Sequence, residues 1–166
     1  MAQIAILTVF PAMLAFAAAT DLLTMTISNW VPILLVVAFT AVAVLFGITG
    51  QTVLTSVIAS GLTLLLFFGL FAFGWLGGGD AKLAAASALW LGLDLLLEYL
   101  LVTAVLGGML TGMLLLVRLI PLPVFAFRWN WLSRLHDRRN GAPYGVALAG
   151  AALLLYPHSA IWKAAL

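Results

Sequence analysis

The sequence predicts an all-α fold: a polytopic membrane protein with about six transmembrane helices and its N-terminus outside. Of its 166 residues, 66% are hydrophobic and 7% are charged, and the mean hydropathy is +1.25. Seven basic and five acidic residues are too few to cover the surface of a water-soluble domain of this size. The apolar residues fall into six runs, each close to the ~20 residues that span a bilayer as a helix.

Helices are predicted for all six runs because every backbone polar group in lipid must be bonded internally, which excludes open strands. Polar connections at residues 21–29, 47–51, 77–82, 94–98 and 118–141 separate the runs. The chain carries no internal repeat, so residues 1–166 are predicted to form one integral-membrane domain. The predicted helices are approximately Ile4–Thr20, Trp30–Ile48, Val53–Leu76, Ala81–Leu97, Tyr99–Val117 and Pro143–Trp162.

The connection Arg118–Gly141 predicts the orientation of the chain. By the positive-inside rule, a connection rich in basic residues is cytoplasmic. Counting back through the crossings then places connections 21–29 and 77–82 on the cytoplasmic side and the N-terminus outside. The connection carries five of the seven basic residues, namely Arg118, Arg128, Arg134, Arg138 and Arg139.

Asp21 and Asp80 are the candidate catalytic residues. Each follows an odd-numbered run, so both are predicted to reach the same face at similar depth. A carboxylate beside so much apolar sequence is costly and indicates a functional site by default. As a helix, Asp80 to Asp94 would span about 21 Å, against about 30 Å of hydrocarbon. Asp80 is therefore predicted to lie below the inner surface of the membrane.

Two neighbouring carboxyl groups can hydrolyse a peptide bond. One takes a proton from water and the other donates a proton to the carbonyl oxygen. Like charges a few ångströms apart do not both ionise easily, so proximity favours a pair that shares one proton, and the acid and base stay unassigned. Gly77, Gly78 and Gly79 lack Cβ atoms and would let an extended substrate backbone approach. Taken alone, this Gly-Gly-Gly-Asp string is also typical of a loop with an aspartate helix cap.

These residues resemble the motifs of the type IV prepilin peptidase family of GxGD intramembrane aspartyl proteases. Gly77–Leu83 resembles the family's GxGDxKL motif. Asp21–Trp30 resembles its first-aspartate motif, an Asp followed by a short loop ending in Ile-Pro-Asn. Ala142–Ala147 resembles its Pro-aromatic-Gly motif at the start of the last helix. Length and helix count resemble the small branch that processes Flp-type pilins of tight-adherence systems.

The resemblance implies a bacterial inner-membrane aspartyl endopeptidase that is multi-pass, with its active site facing the cytoplasm and Asp21 and Asp80 as its catalytic pair. The implied substrate is a prepilin with a short basic leader, cut just before its hydrophobic helix. Membrane lipids are expected partners, whereas nucleic acid, a metal and a cofactor are not. Larger members also methylate the new terminus and carry a cysteine-cluster domain; this chain has no cysteine, so methylation is not predicted. The residues expected to support the site are Gly77, Gly78, Gly79, Lys82, Asn29, Pro143, Tyr144 and Gly145.

The chain departs from the family pattern near the first aspartate. Ser28 stands where proline is usual, and no basic residue lies between Asp21 and Lys82. Lys82 is two residues from Asp80, so a direct ion pair is not expected on a helix. Lys82 either snorkels to lipid headgroups or tunes the pair electrostatically.

Gly108 and Gly112 fit the small-xxx-small packing pattern and are expected to pack against another helix of the same chain. His136 and His158 have no partner at metal-ligand spacing and are expected at the surface.

Two other classes of function stay open. A proton-coupled transporter would use buried acids as a relay, but it would spread them through the membrane depth. A non-catalytic membrane scaffold of a pilus or secretion system would keep the fold without needing either acid. The oligomeric state and the particular pilin are not specified by the sequence.

Overall fold

The computed structural model describes residues 2–122, 128–138 and 140–165, and these residues form helices and no strands. The all-α class is therefore confirmed. Arg139, one of the five arginines of the basic connection, lies outside the described residues. The helices are α1 (Ala2–Thr24), α2 (Trp30–Leu45), α3 (Gly50–Ala72), α4 (Gly78–Leu91), α5 (Leu96–Val117), α6 (Asn130–His136), α7 (Tyr144–Leu155) and α8 (Ala160–Ala165), with a 3-10 turn at Tyr156–His158 between the last two.

The predicted runs correspond to helices whose ends differ from those expected. The first helix passes Asp21 and ends at Thr24, because the N–H of Met25 still bonds the carbonyl oxygen of Asp21 at 2.7 Å. The fourth ends at Leu91, where Gly92 takes a φ of 81° in the left-handed region that favours glycine. The last predicted run is divided into α7, the 3-10 turn and α8. The polar connection also contains a short helix, α6, that was not predicted.

Two of the described helices, α3 and α5, are long and apolar enough to cross a membrane, judged by length and composition. Their mean hydropathies are 2.2 and 2.3 over the best 18-residue windows, of which 22% and 17% of residues are buried. Their outward faces are therefore largely apolar and uncovered by the rest of the chain. This agrees with a membrane protein, while a six-span topology remains a proposal.

Helix α4 forms the centre of the structure, packing against α2, α3 and α7. Nearly all of it is buried, since ten of its fourteen residues belong to the interior. The run 84–88 is Ala-Ala-Ala-Ser-Ala, and such small side chains let neighbouring helices approach closely in an apolar environment. Helix α7 packs on the other side of this core, against α1 and α5.

A cluster of aromatic rings fills the core at the far end of α4. The fully buried ring of Trp90 stacks on Phe10, with ring centroids 4.9 Å apart. Its indole N–H donates a hydrogen bond of 2.9 Å to the carbonyl oxygen of Leu35 in α2. Tyr156 lies against Phe10 at 4.6 Å. The cluster joins α1, α2, α4 and the 3-10 turn.

Helices α3 and α5 do not pack closely against each other, and a cavity of about 360 Å³ lies between them. We call this cavity the α3–α5 groove. The expectation for Gly108 and Gly112 is wrong: both are exposed, and a Cβ added at either would meet nothing within 4 Å. The groove is lined by Leu66, Phe67, Leu70, Trp75, Leu76, Leu100, Thr103, Ala104, Gly108 and Tyr144.

Candidate active site

Asp21 lies in the last turn of α1 and is 5% exposed. Its Oδ2 accepts a hydrogen bond of 2.7 Å from the backbone N–H of Gly145, near the start of α7. Asp21 was expected at the boundary of the first helix, but it lies one turn inside that boundary. The bond to Gly145 explains how a carboxylate is tolerated there, because a buried polar group needs a partner.

Asp80 is the third residue of α4. Its Oδ2 accepts a hydrogen bond of 3.1 Å from the backbone N–H of Gly77, the residue that caps the helix. A capping contact therefore exists, but Asp80 makes it from the third helical position and not from the cap itself. Its other oxygen, Oδ1, is buried without a hydrogen-bond partner in the described part of the chain. One oxygen is thus held and the other is left unpaired.

Ile27, in the loop between α1 and α2, lies between the segments that carry the two acids. A Cβ added at Gly79 would come within 3.1 Å of Ile27 Cβ and 3.2 Å of its carbonyl oxygen. A Cβ added at Gly145 would come within 2.7 Å of Ile27 Cδ1 and 2.8 Å of Asp21 Oδ2. Ile27 thus contacts both the residue that precedes Asp80 and the residue that bonds Asp21. Tertiary packing thus brings Asp21 and Asp80 to the same small region.

The three glycines before Asp80 have different surroundings. Gly79 is in close contact with Ile27, and a side chain there would force a shift. Gly78 is different, since a Cβ there would make an ordinary contact of 3.5 Å with Phe71. Gly77 contributes its N–H to Asp80. A Cβ at Gly77 would also lie 3.0 Å from Asp80 Oδ2, so a requirement for glycine is expected at the first and third positions and not at the second.

Lys82 donates a hydrogen bond of 2.8 Å to Oδ1 of Asn29. Both side chains are exposed, and the bond ties the loop after α1 to the first turns of α4. This contact joins two of the expected support residues. Electrostatic tuning of the pair by Lys82 stays a prediction.

Pro143 is buried and Tyr144 is the first residue of α7. The ring of Tyr144 lies against Gly107 of α5, where an added Cβ would be 2.8 Å from its Cε1. Gly107 is close to the midpoint of α5, so the first residue of α7 contacts the middle of this long apolar helix. Sequence reasoning singled out neither Gly107 nor Ile27 for a role. Ile27 was part of a quoted motif, but nothing in its type indicated contacts with both Gly79 and Gly145.

Two of the three remaining acids lie at the other end of α4. Asp94 and Glu98 are exposed and line a cavity of about 530 Å³ at the opposite end of α4, together with His158 and Lys163. His136 is partly exposed in α6 and His158 is exposed, in agreement with the expectation of surface positions. Within the described residues, no three His, Cys, Asp or Glu side chains gather in a group that could hold a metal ion.

The helical core buries one acid and holds it near a second acid at the start of another helix. A hydrolase with two catalytic carboxyl groups requires such an arrangement. Residues 8–112 match the model of the type IV leader peptidase family. The chain therefore belongs to this family, which indicates a peptidase that acts on prepilin-type substrates. The matched region contains Asp21 and Asp80 but ends before Gly145. No curated protein and no solved structure gave a significant match.

Proposed function

We propose that the chain is an intramembrane aspartyl endopeptidase that removes the leader of type IV prepilins, with Asp21 and Asp80 as its catalytic pair. The observation that carries the proposal is the convergence of two acids from separate helices on Ile27, Gly79 and Gly145. Membership of the leader peptidase family supplies the reaction class. An Flp-type substrate and the absence of methyltransferase activity follow from the resemblance alone.

In the proposed topology, residues 1–166 form one multi-pass domain in the bacterial inner membrane, with the N-terminus outside and the acids facing the cytoplasm. The apolar outer faces of α3 and α5 support membrane insertion. Four basic residues then lie on the cytoplasmic side and contact anionic lipid headgroups, namely Arg118, Arg128, Arg134 and Arg138. From Asp80 to the end of α4 the helix rises about 16 Å, which supports a site below the membrane surface.

The proposed reaction begins with water between the two carboxyl groups. One carboxylate takes a proton from water as the water oxygen bonds to the scissile carbonyl carbon, and the other carboxyl donates its proton to the carbonyl oxygen. Collapse of the tetrahedral intermediate breaks the C–N bond, and the amine leaves with a proton returned by the pair. Asp80 Oδ1 is suited to exchange a proton with the attacking water, because no described residue forms a hydrogen bond with it.

The supporting residues act by fixing positions. Gly145 holds Asp21 through its N–H, and Gly77 holds Asp80 in the same way. Pro143 and Tyr144 set the start of α7 against α5, while Lys82 and Asn29 join the α1–α2 loop to α4. Such positioning matters because a displacement of about 1 Å can cost roughly 100-fold in rate.

The transporter alternative receives little support from the described residues. A relay would need buried acids along the membrane depth, yet Asp94 and Glu98 are exposed and lie at the other end of α4. The scaffold alternative differs from the proposal in one measurable respect, since a scaffold needs neither acid for cleavage.

The test is leader removal from a co-expressed prepilin by the wild type, Asp21→Asn and Asp80→Asn. Each substitution keeps the size of the side chain but removes the proton-transfer group. Cleavage is expected to fall by roughly 10²–10⁴-fold in each variant. Asp94→Asn is the matched control, and its cleavage is expected to equal that of the wild type. Normal processing by either of the first two variants would refute the mechanism.

A further inference from the structure

The α3–α5 groove ends beside the two acids. Leu76 and Tyr144 form this end, and each is followed directly by a glycine whose N–H bonds a catalytic carboxylate. From Gly108 the groove continues along α5 to Leu100, a rise of about 12 Å. One end of the groove is therefore formed by direct chain neighbours of the residues that hold the two acids, and the groove runs from there along α5.

The α5 side of the groove contains small residues that nothing in the described chain covers. Ala104 and Gly108 are four residues apart and both are exposed. Small residues at this spacing let the backbone of a second helix approach closely, which favours helix association in lipid. The opposite side, on α3, offers larger apolar side chains, Phe67 and Leu70. This combination is complementary to an apolar helix.

We propose that the α3–α5 groove binds the apolar membrane segment of the peptide substrate, so that the bond preceding this segment reaches Asp21 and Asp80. This inference rests on the proposed function and assigns the binding surface for its substrate. A substrate helix in the groove would pack against Ala104 and Gly108 and enter sideways from the bilayer. The leader would then lie past Leu76 and Tyr144, on the side of the acids.

A second groove, of about 540 Å³, lies on the other side of α3 and is lined by residues of α2, α3 and α4, including Val37. Its lining includes Asn29 and Lys82, whose side chains bond to each other. It includes neither Leu76 nor Tyr144, the residues that precede the two carboxylate-binding glycines. This second groove is the natural comparison for a test, because its walls are also apolar.

Cross-linking can distinguish the two grooves. The chain has no cysteine, so single-cysteine variants need no background changes. Three variants are compared, each with one cysteine, at Ala104→Cys, Val105→Cys or Val37→Cys. Each also carries Asp80→Asn, so that the substrate stays uncleaved. Each variant is co-expressed with a prepilin that has one cysteine in its apolar segment. A disulfide is expected with Ala104→Cys and not with the other two. Equal cross-linking at all three positions, or cross-linking at Val37→Cys alone, would overturn the proposal.

Filling the groove provides an independent measurement. Ala104→Trp is expected to lower prepilin cleavage at least tenfold, whereas Val105→Trp, on the adjacent and 55% exposed position of α5, should stay within twofold of the wild type. Both positions are exposed, so neither substitution disturbs the core. Equal melting temperatures of the purified variants in detergent would verify this.

The outcomes separate this inference from the proposed function. If the wild type cleaves, the two Asp→Asn variants do not, and Ala104→Trp cleaves normally, the groove does not bind the substrate and the present inference is wrong. If the wild type cleaves no prepilin, the proposed function itself is wrong.

Discussion

The backbone N–H of Gly145 lies 2.7 Å from Oδ2 of Asp21, although 124 residues separate them in the sequence. This bond joins the start of α7 to the end of α1. It places a hydrogen-bond donor on a buried carboxylate that would otherwise be costly to keep in an apolar core. The region around this bond is closely packed, because Ile27 and Asp21 both occupy the space where a side chain at position 145 would lie.

Gly145→Ala is therefore expected to disturb the site. The added Cβ would lie 2.7 Å from Ile27 Cδ1 and 2.8 Å from Asp21 Oδ2. Overpacking of this kind costs about 1–3 kcal/mol in stability, and the displaced carboxylate should lower cleavage by roughly 10–100-fold. The measurements are the prepilin cleavage rate and the melting temperature in detergent.

Gly150→Ala is the matched control on the same helix, since its Cβ would make only an ordinary contact of 3.5 Å with Leu106. Adding Ile27→Val to Gly145→Ala removes Cδ1 and should restore part of the activity. If Gly145→Ala and Gly150→Ala cleave equally well, the close packing around Asp21 has no bearing on catalysis.

Adjacent glycines before Asp80 are expected to respond differently to alanine. Gly79→Ala brings a Cβ within 3.1–3.2 Å of side-chain and backbone atoms of Ile27, and the backbone cannot move aside easily. Cleavage should fall by about tenfold or more, since Asp80 is the next residue. Gly78→Ala meets only the ring of Phe71 at 3.5 Å and should retain activity within about threefold. The reverse order of sensitivity in a cleavage assay would contradict this packing.

The Lys82–Asn29 hydrogen bond is expected to contribute modestly. Both side chains are exposed, so the bond should be worth about 1 kcal/mol or less, which corresponds to roughly a fivefold loss of cleavage. Lys82→Met, Asn29→Leu and the double variant form a cycle that isolates the coupling between them. The double variant should be no worse than the poorer single variant. Strictly additive losses would mean that the two residues act independently and that the bond between them does not matter for cleavage.

Trp90→Phe should lower stability without changing the chemistry. The substitution removes the hydrogen bond from the indole N–H to the carbonyl oxygen of Leu35 and part of the ring that stacks on Phe10. The expected cost is about 1–3 kcal/mol, seen as a lower melting temperature. Cleavage per folded molecule should be unchanged, because Trp90 lies near the opposite end of α4 from Asp80. Trp129→Phe, at a position 54% exposed, is the control and should leave the melting temperature unaltered.

Most of the fold class could be predicted from composition and run length. Apolar runs of this length need internal backbone bonding, and helices supply it. Helix ends could not be fixed in the same way, because they depend on local backbone geometry. Asp21 shows this, since α1 continues past it to Thr24 and ends where Met25 takes a φ of 57°. The C-terminal end of α4 at Gly92 is a second case.

The sequence by itself determined which residues are candidates: two acids in apolar surroundings, glycines before one of them, and a Pro-Tyr-Gly string near the last long helix. Only the tertiary structure decided how they are held together. Two of the decisive features are contacts between distant segments, since Ile27 lies between Gly79 and Gly145 and Tyr144 lies against Gly107. The open groove beside Ala104 and Gly108 also depends on how distant helices pack. The physical reason is that composition and periodicity report what a residue prefers, whereas close packing depends on which surfaces meet.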